Sequence, residues 1–282
     1  MFQFDHQNSI DYLMIGHLTI DRTPEGLRIG GTAAYSALTA KQLGVNVGIF
    51  TSWGEEIDAD ILDNIPIVNI KSERSTTFEN ISGPDGRVQR LYHAAPVLDG
   101  LKIPQNWRTA SIVHIGPVAG EVKADIIGEF PSALIGLTPQ GWLRTWDKSG
   151  WVSVRDWPEW ASTLGKVGAA VISLEDLSGD EEKLEEMAGV CKVLAATEGE
   201  KGVRLYWNGD VRRFRPPQVE ALDTTGAGDI FATALFIRLY TTRDPWEAAR
   251  FATQLAAYSV TRRGLDAIPT EDEINACMVE VL

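Results

Sequence analysis

Short apolar runs that alternate with helix-like segments dominate the first 70 residues and restrict the chain to few architectures. Tyr12–Ile15 reads as a buried strand ending at Gly16, with no polar residue to mark a solvated face. A polar stretch with the turn signal Thr23-Pro24-Glu25-Gly26 follows. A helical segment then runs from Thr32 to Leu43 and stops at Gly44. Val45–Thr51 is the next strand, Glu55–Asp63 reads as a short helix, and Ile67–Ile70 as a further strand. Strands joined through helices lie parallel, and a parallel sheet is covered on both faces, so the expected class is α/β.

The next segment breaks the rhythm. Thr76–Ile81 and Arg87–Tyr92 flank Ser82-Gly83-Pro84-Asp85-Gly86, a hairpin signature. It is expected to form a small antiparallel flap, joined by the polar stretch at 17–29. Alternation resumes with strand Ser111–Ile115, a helix near Glu121–Phe130, and strand Ala133–Leu137. Trp151–Val154 reads as a short strand, Ala169–Ser173 as a strand, Glu181–Ala188 as a helix and Val193–Ala196 as a strand. Val203–Trp207 and Val211–Phe214 flank Asn208-Gly209-Asp210, a second hairpin. The end reads as helices over Asp229–Tyr240, Pro245–Arg262 and Thr270–Val281. No repeat or linker divides the chain, so residues 1–282 are expected to form a single domain with a β-lid from about 17–29 and 75–95.

Charge and cysteine content narrow the partners. The formal charge of −13 leaves no surplus of Lys and Arg to neutralise a nucleic-acid backbone. No apolar stretch is long enough for a membrane span, and the opening MFQFDHQNSI lacks the pattern of a secretory signal. Two cysteines suit a reducing compartment, so a cytoplasmic location is expected. Five tryptophans between Trp142 and Trp160 are interleaved with Asp147, Asp156 and Glu159, which favours packing over base stacking. In the acidic run Glu181–Glu186, Leu184 is expected to turn inward from a solvated helix face.

The segment that carries chemistry is Asp223-Thr224-Thr225-Gly226-Ala227-Gly228-Asp229, set directly before an apolar helix. Glycine accepts positive φ and has no side chain to block approach. Successive N–H groups can therefore converge at the helix N-terminus, where the helix dipole also favours negative charge. Asp229 in the first turn would sit beside that anion hole, placed to accept a proton from a hydroxyl while amides stabilise a transferring phosphoryl group. The dinucleotide fingerprint fails, since Phe231 stands where its third glycine belongs, and no P-loop motif is present.

Asp223–Asp229 resembles the DTxGAGD signature of the ribokinase-like, PfkB-type carbohydrate kinases. Gly30-Gly31-Thr32-Ala33-Ala34-Tyr35 is similar to that family's N-terminal glycine pair, and Phe251–Gly264 to its nucleotide-side helix. The resemblance implies a three-layer α/β/α sandwich with a mainly parallel central sheet and a small β-lid. It implies transfer of the ATP γ-phosphoryl group to a hydroxyl of a small sugar or cyclitol, with Mg²⁺ between the phosphates; a monovalent-cation requirement is left open. Asp229 would be the base, and Gly226, Ala227 and Gly228 the anion hole. Asp21, Gly30 and Gly31 would meet the acceptor. Thr197, Gly199 and Gly202, in a TxGxxG-like loop, would meet the nucleotide with Thr225 and Thr253.

Several positions depart from the family pattern. Tyr35 stands where many members carry an acceptor-binding Asn, and can donate a hydroxyl bond or simply pack. The NxxE motif survives only as Ser173-Leu174-Glu175-Asp176, with Asp176 or Glu175 as the indirect contact to metal. Thr253 replaces an Asn near adenine. Gln140 and Arg144, after Thr138-Pro139, resemble the myo-inositol kinase branch and would bind the acceptor. Two further readings stay open: a nucleoside kinase using Phe78 or Tyr92 against the base, and a sugar-binding protein without catalysis. A homodimer through the lid is also expected, because a lone hairpin is marginal.

Overall fold

The computed structural model describes residues 10–83 and 86–278. The tip of the first hairpin (Pro84-Asp85), the amino-terminal segment read for a secretory signal and the end of the last helix lie outside the described residues. The first half contains β1 (Tyr12–Ile15), β2 (Thr19–Thr23), β3 (Gly26–Gly30), α1 (Gly31–Gln42), β4 (Val47–Thr51), β5 (Ile67–Asn69), β6 (Thr76–Gly83), β7 (Gly86–His93), β8 (Ile112–Ile115) and β9 (Leu134–Leu137). The second half contains β10 (Arg144–Trp146), β11 (Val152–Val154), α2 (Trp160–Leu164), β12 (Ala169–Ser173), α3 (Glu181–Val190), β13 (Val193–Thr197), β14 (Val203–Trp207), β15 (Asp210–Phe214), α4 (Ala227–Thr242), α5 (Pro245–Ser259) and α6 (Glu271–Cys277).

The nine-stranded central sheet has the order β15-β14-β13-β12-β9-β8-β1-β4-β5. Its pairs are parallel from β5 across to β13, and the β13–β14 and β14–β15 pairs are antiparallel. Both faces are buried because adjacent strand residues point in opposite directions. Tyr12 and Met14 join a core with Phe231, Phe236 and Phe251 of α4 and α5. Leu13 and Ile15 join the opposite core with Phe50, Phe130, Trp142 and Trp157. This is the expected three-layer α/β architecture. Trp142 and Trp157 pack 5.3 Å apart in that second core, and Leu184 is fully buried.

The lid is a four-stranded sheet of order β3-β2-β6-β7. The expected antiparallel flap is the β6–β7 hairpin, and the polar stretch joins it as β2 and β3; at the central seam β2 and β6 run parallel. Each follows a connection from the same, carboxyl edge of the main sheet, so both enter the lid in one direction.

Two expected helices are shorter and tighter. Glu55–Asp63 yields only the 3-10 turn Asp60–Leu62, because Asp58 accepts the Asp60 N–H at 3.3 Å and competes with helical bonding. Glu121–Phe130 yields a 3-10 segment over Ala124–Glu129. There Glu121, buried to 2% exposure, instead accepts the amides of His17 (3.0 Å), Val118 (3.0 Å) and Ala119 (2.8 Å). Glu121→Ala leaves three buried amides without that acceptor. It is expected to destabilise the chain by about 3–5 kcal/mol, read as a lower denaturation midpoint, whereas Glu121→Gln should retain part of the loss.

Candidate active site

A cleft of ≈1600 Å³ lies between the lid and the carboxyl ends of the central strands. The order β9-β8-β1-β4 explains its position. Connections leave β1 toward β4 on one side and β8 toward β9 on the other, and such a switch point opens a crevice at the strand ends. The loops after β8, β9, β12 and β13 line it, together with β2 of the lid and the N-terminus of α4.

The 223–229 turn forms the cleft's centre. Gly226 is the α4 N-cap with φ +80°, the left-handed conformation that glycine permits. The Asp223 carboxylate fastens the turn, accepting the Thr225 amide (2.9 Å) and the Gly264 amide (3.2 Å). Ala227, expected in the anion hole, instead donates its N–H to the Thr224 carbonyl at 3.3 Å. Among the described residues the Gly228 and Asp229 amides meet no protein acceptor, as the first turn of a helix allows. Asp229 is half-buried there. Burial pushes its carboxyl up to about 6, against a hydrogen bond from Thr32 and the charge of Arg144; the carboxylates of Asp21 and Asp176 add to the rise. Tyr35 is buried under the turn, with its ring against Gly226. Of its two expected roles the structure shows the packing one, although its edge also lines the cleft.

On the lid side stand Asp21, Thr19, Gly31, Gln140, Asn80 and Gln89. Gly30 stands behind this wall: a Cβ there would fall 2.2 Å from Asp21 Oδ2, so glycine makes room for the carboxylate. Thr19 is 1% exposed, and its hydroxyl has no hydrogen-bond partner among the described residues. It was missed in the sequence, yet it precedes Asp21 by two residues and so shares its strand face. Arg144 and Asp176 line the cleft but face each other: Arg144 donates to Asp176 Oδ1 (3.0 Å) and to Gln89 Oε1 of the lid (2.9 Å).

The far side is different. Thr197, Gly199 and Gly202 line it with Val219, Ala256, Ala257 and Val260, and the Thr253 hydroxyl is donated to its own helix at Ala249 O (2.7 Å). Glu198 there is ion-paired with Arg204 and Arg213. Among the described residues no group of His, Cys, Asp or Glu is arranged to hold a metal ion. With Asp176 committed to Arg144, the side chains do not fit a resident magnesium.

Among the described residues no helix is long and apolar enough to cross a membrane. Residues 165–272 match the model of the pfkB family carbohydrate kinases. Fructokinase-1 of Zea mays is 32% identical over 285 residues, covering 87% of this chain and 86% of its own length. A pyrophosphate-dependent kinase in the ribokinase family, complexed with a pyrophosphate analogue and myo-inositol, superposes with a TM-score of 0.75 at 21% identity, over 95% of this chain and 100% of its own. A sugar kinase of Pyrococcus horikoshii in complex with ATP does so with a TM-score of 0.73 at 22% identity, over 95% of this chain and 100% of its own. These likenesses show the ribokinase fold, and the maize relative spans nearly the whole of it. The chain belongs to the PfkB family of carbohydrate kinases.

Proposed function

We propose that the chain moves the γ-phosphoryl group of ATP to a hydroxyl of a small sugar or cyclitol, with Asp229 as general base. The observation that carries this reading is the juxtaposition in one turn of the Asp229 carboxylate with the open amides of Gly228 and Asp229. The acceptor hydroxyl gives its proton to Asp229 as its oxygen bonds to phosphorus, and the bond from phosphorus to the ADP oxygen breaks. The amides take up charge on the transferring group, which is where phosphoryl transfer gains most. Asp21, Gly31, Gln140 and Arg144 would hold the polyol on the lid side, with Thr19 beside them. Thr197, Gly199, Gly202 and Thr225 would hold the phosphates. The apolar wall of Ala256, Ala257 and Val260 around Thr253 suits the adenine. Magnesium then enters with the ATP phosphates, as part of the substrate.

The test is a screen of D-fructose, other sugars, myo-inositol and nucleosides for ADP release from ATP. Pyrophosphate replaces ATP in a second series. Turnover of a sugar or cyclitol with ATP is expected. Preference for nucleosides would move the reading to a nucleoside kinase. Tight sugar binding without turnover would leave a binding protein.

Arg144 offers a sharper check, because its positive charge opposes the rise at Asp229. Arg144→Gln is expected to move the acid limb of the kcat–pH profile to higher pH, by about one unit. An unmoved limb would separate Arg144 from the base.

A homodimer through the lid belongs to the same reading. Val88 and Tyr92 on β7 and Ile81 opposite Val88 on β6 remain exposed. Light scattering should give twice the chain mass; a monomer would dismiss it.

A further inference from the structure

Two lid residues that line the cleft are not used by the transfer step. Asn80 on β6 and Gln89 on β7 stand directly opposite each other in the antiparallel register. Phe78, two residues before Asn80 and so on the same face of β6, pairs with Asp21 across the parallel seam. Asp21, Asn80 and Gln89 therefore share the lid face that looks into the cleft. Arg144 joins this face to the base: it donates to Gln89 Oε1 at 2.9 Å, and its charge acts on Asp229.

A guanidinium can only donate, and this fixes both amides. Gln89 must turn its carbonyl to Arg144, which sets its amide nitrogen toward β6. There Gln89 Nε2 donates to Asn80 Oδ1 at 2.9 Å. Asn80 meets its neighbour through its carbonyl, because two amide nitrogens would repel each other. The group that Asn80 turns away from Gln89 is Nδ2, a donor with two hydrogens. Arg144 is itself held by Asp176 Oδ1 at 3.0 Å, so the orientation is anchored outside the lid, just past the end of β12. The ionised carboxylate of Asp21, on the same face, only accepts.

We propose that Asn80 is a specificity-determining contact of the lid, held by Gln89 and Arg144 so that its N–H groups bind an oxygen lone pair on the molecule being phosphorylated. This rests on the sugar or cyclitol reading of the cleft. A hydroxyl or a ring oxygen at that position satisfies the amide. A methylene or an ammonium group there offers no lone pair, and such an analogue is selected against. Asp21 makes the opposite choice and takes a hydroxyl or an ammonium group.

Two measurements test it. The side-chain amide resonances of Asn80 in ¹⁵N-labelled protein are identified by their loss in Asn80→Asp. They are followed as D-fructose, myo-inositol and the other polyols of the screen are added without nucleotide. A saturating shift is expected with at least one polyol; no shift with any of them would overturn the proposal. In the second, KM for the acceptor that turns over fastest is measured at pH 8. Asn80→Asp keeps the shape and still accepts from Gln89, but turns a carboxylate oxygen to the acceptor in place of the amide. It is expected to raise this KM by about 5–50-fold, with kcat and the KM for ATP little changed. Gln89→Glu keeps the bond from Arg144 and accepts from Asn80, so Asn80 rotates its carbonyl toward the cleft. A rise on the same scale is expected although Asn80 is still present. Unchanged KM in Asn80→Asp would overturn the contact, and unchanged KM in Gln89→Glu its orientation by Arg144. If no polyol turns over in the wild type, the substrate reading fails while the resonances still decide the lid contact.

Discussion

Asp229→Asn is expected to lower turnover by about 10²–10⁴-fold, the scale on which a positioned general base acts. The side chain keeps its size and its partner Thr32, so the cleft should stay intact. What disappears is the capacity to take the hydroxyl proton. The amides of Gly228 and Asp229 persist, so residual transfer above the uncatalysed rate should survive. The pH dependence gives a second reading of the same group. With its carboxyl pushed up to about 6, the wild type should lose kcat as pH falls through that value, because the protonated form cannot act as base. The Asn variant should lack this limb.

Stability should move the other way. The folded-state pKa of Asp229 lies above the unfolded value of about 3.9, so the wild type is favoured below pH 4 and loses that advantage as pH rises through about 6. Above pH 6 the charged carboxylate is held in a desolvated place at a cost of up to about 3 kcal/mol, which Asn avoids. Calorimetry at pH 8 should therefore show Asp229→Asn unfolding at a higher temperature than the wild type, and at pH 4 the gap should close. A variant both inactive and less stable at pH 8 would mean that Asp229 holds the turn together.

What the chain's sequence disclosed depends on how far apart the interacting residues lie. The central sheet was legible because burial on both faces writes itself as uninterrupted apolar strands, and Ala169–Ser173 and Val203–Trp207 coincide with the observed β12 and β14. The α4 turn was legible because its glycines, amides and carboxylate are contiguous. Thr19 was within reach by the two-residue period of a strand. The Arg144–Asp176 pair was not, since its members are 32 residues apart and each was assigned a ligand of its own. Tyr12 and His114, separated by 102 residues, read in sequence only as members of the strands Tyr12–Ile15 and Ser111–Ile115. The missed 3-10 segments have a local cause: carboxylates of Asp58 and Glu121 capture amides near the start of each expected helix.

Gly226→Ala is expected to reduce kcat/KM by at least about 10²-fold, because it shifts the amides and carboxylate that must meet the transferring group, and displacements near 1 Å suffice for such a loss. Two independent effects act at this residue. Its φ of +80° costs a non-glycine residue about 1–2 kcal/mol. A Cβ would also fall 2.2 Å from Tyr35 Cε1 and 2.3 Å from Cδ1, an overpacking that costs about 1–3 kcal/mol unless the turn moves. Tyr35 is buried and cannot swing aside, so the turn is the part that yields. Gly228→Ala is the matched control: no atom lies within 4 Å of its Cβ and its φ is not positive. That variant should keep wild-type stability and be impaired only where the Cβ meets a bound phosphate, as a higher KM for ATP. Adding Tyr35→Ala to Gly226→Ala removes the clash but leaves the left-handed strain, so the double variant should regain part of the stability and little of the rate. Equal behaviour of the Gly226 and Gly228 variants in thermal unfolding and in kcat/KM would show that the turn is compliant, and that the rigid presentation of its amides is not what drives transfer.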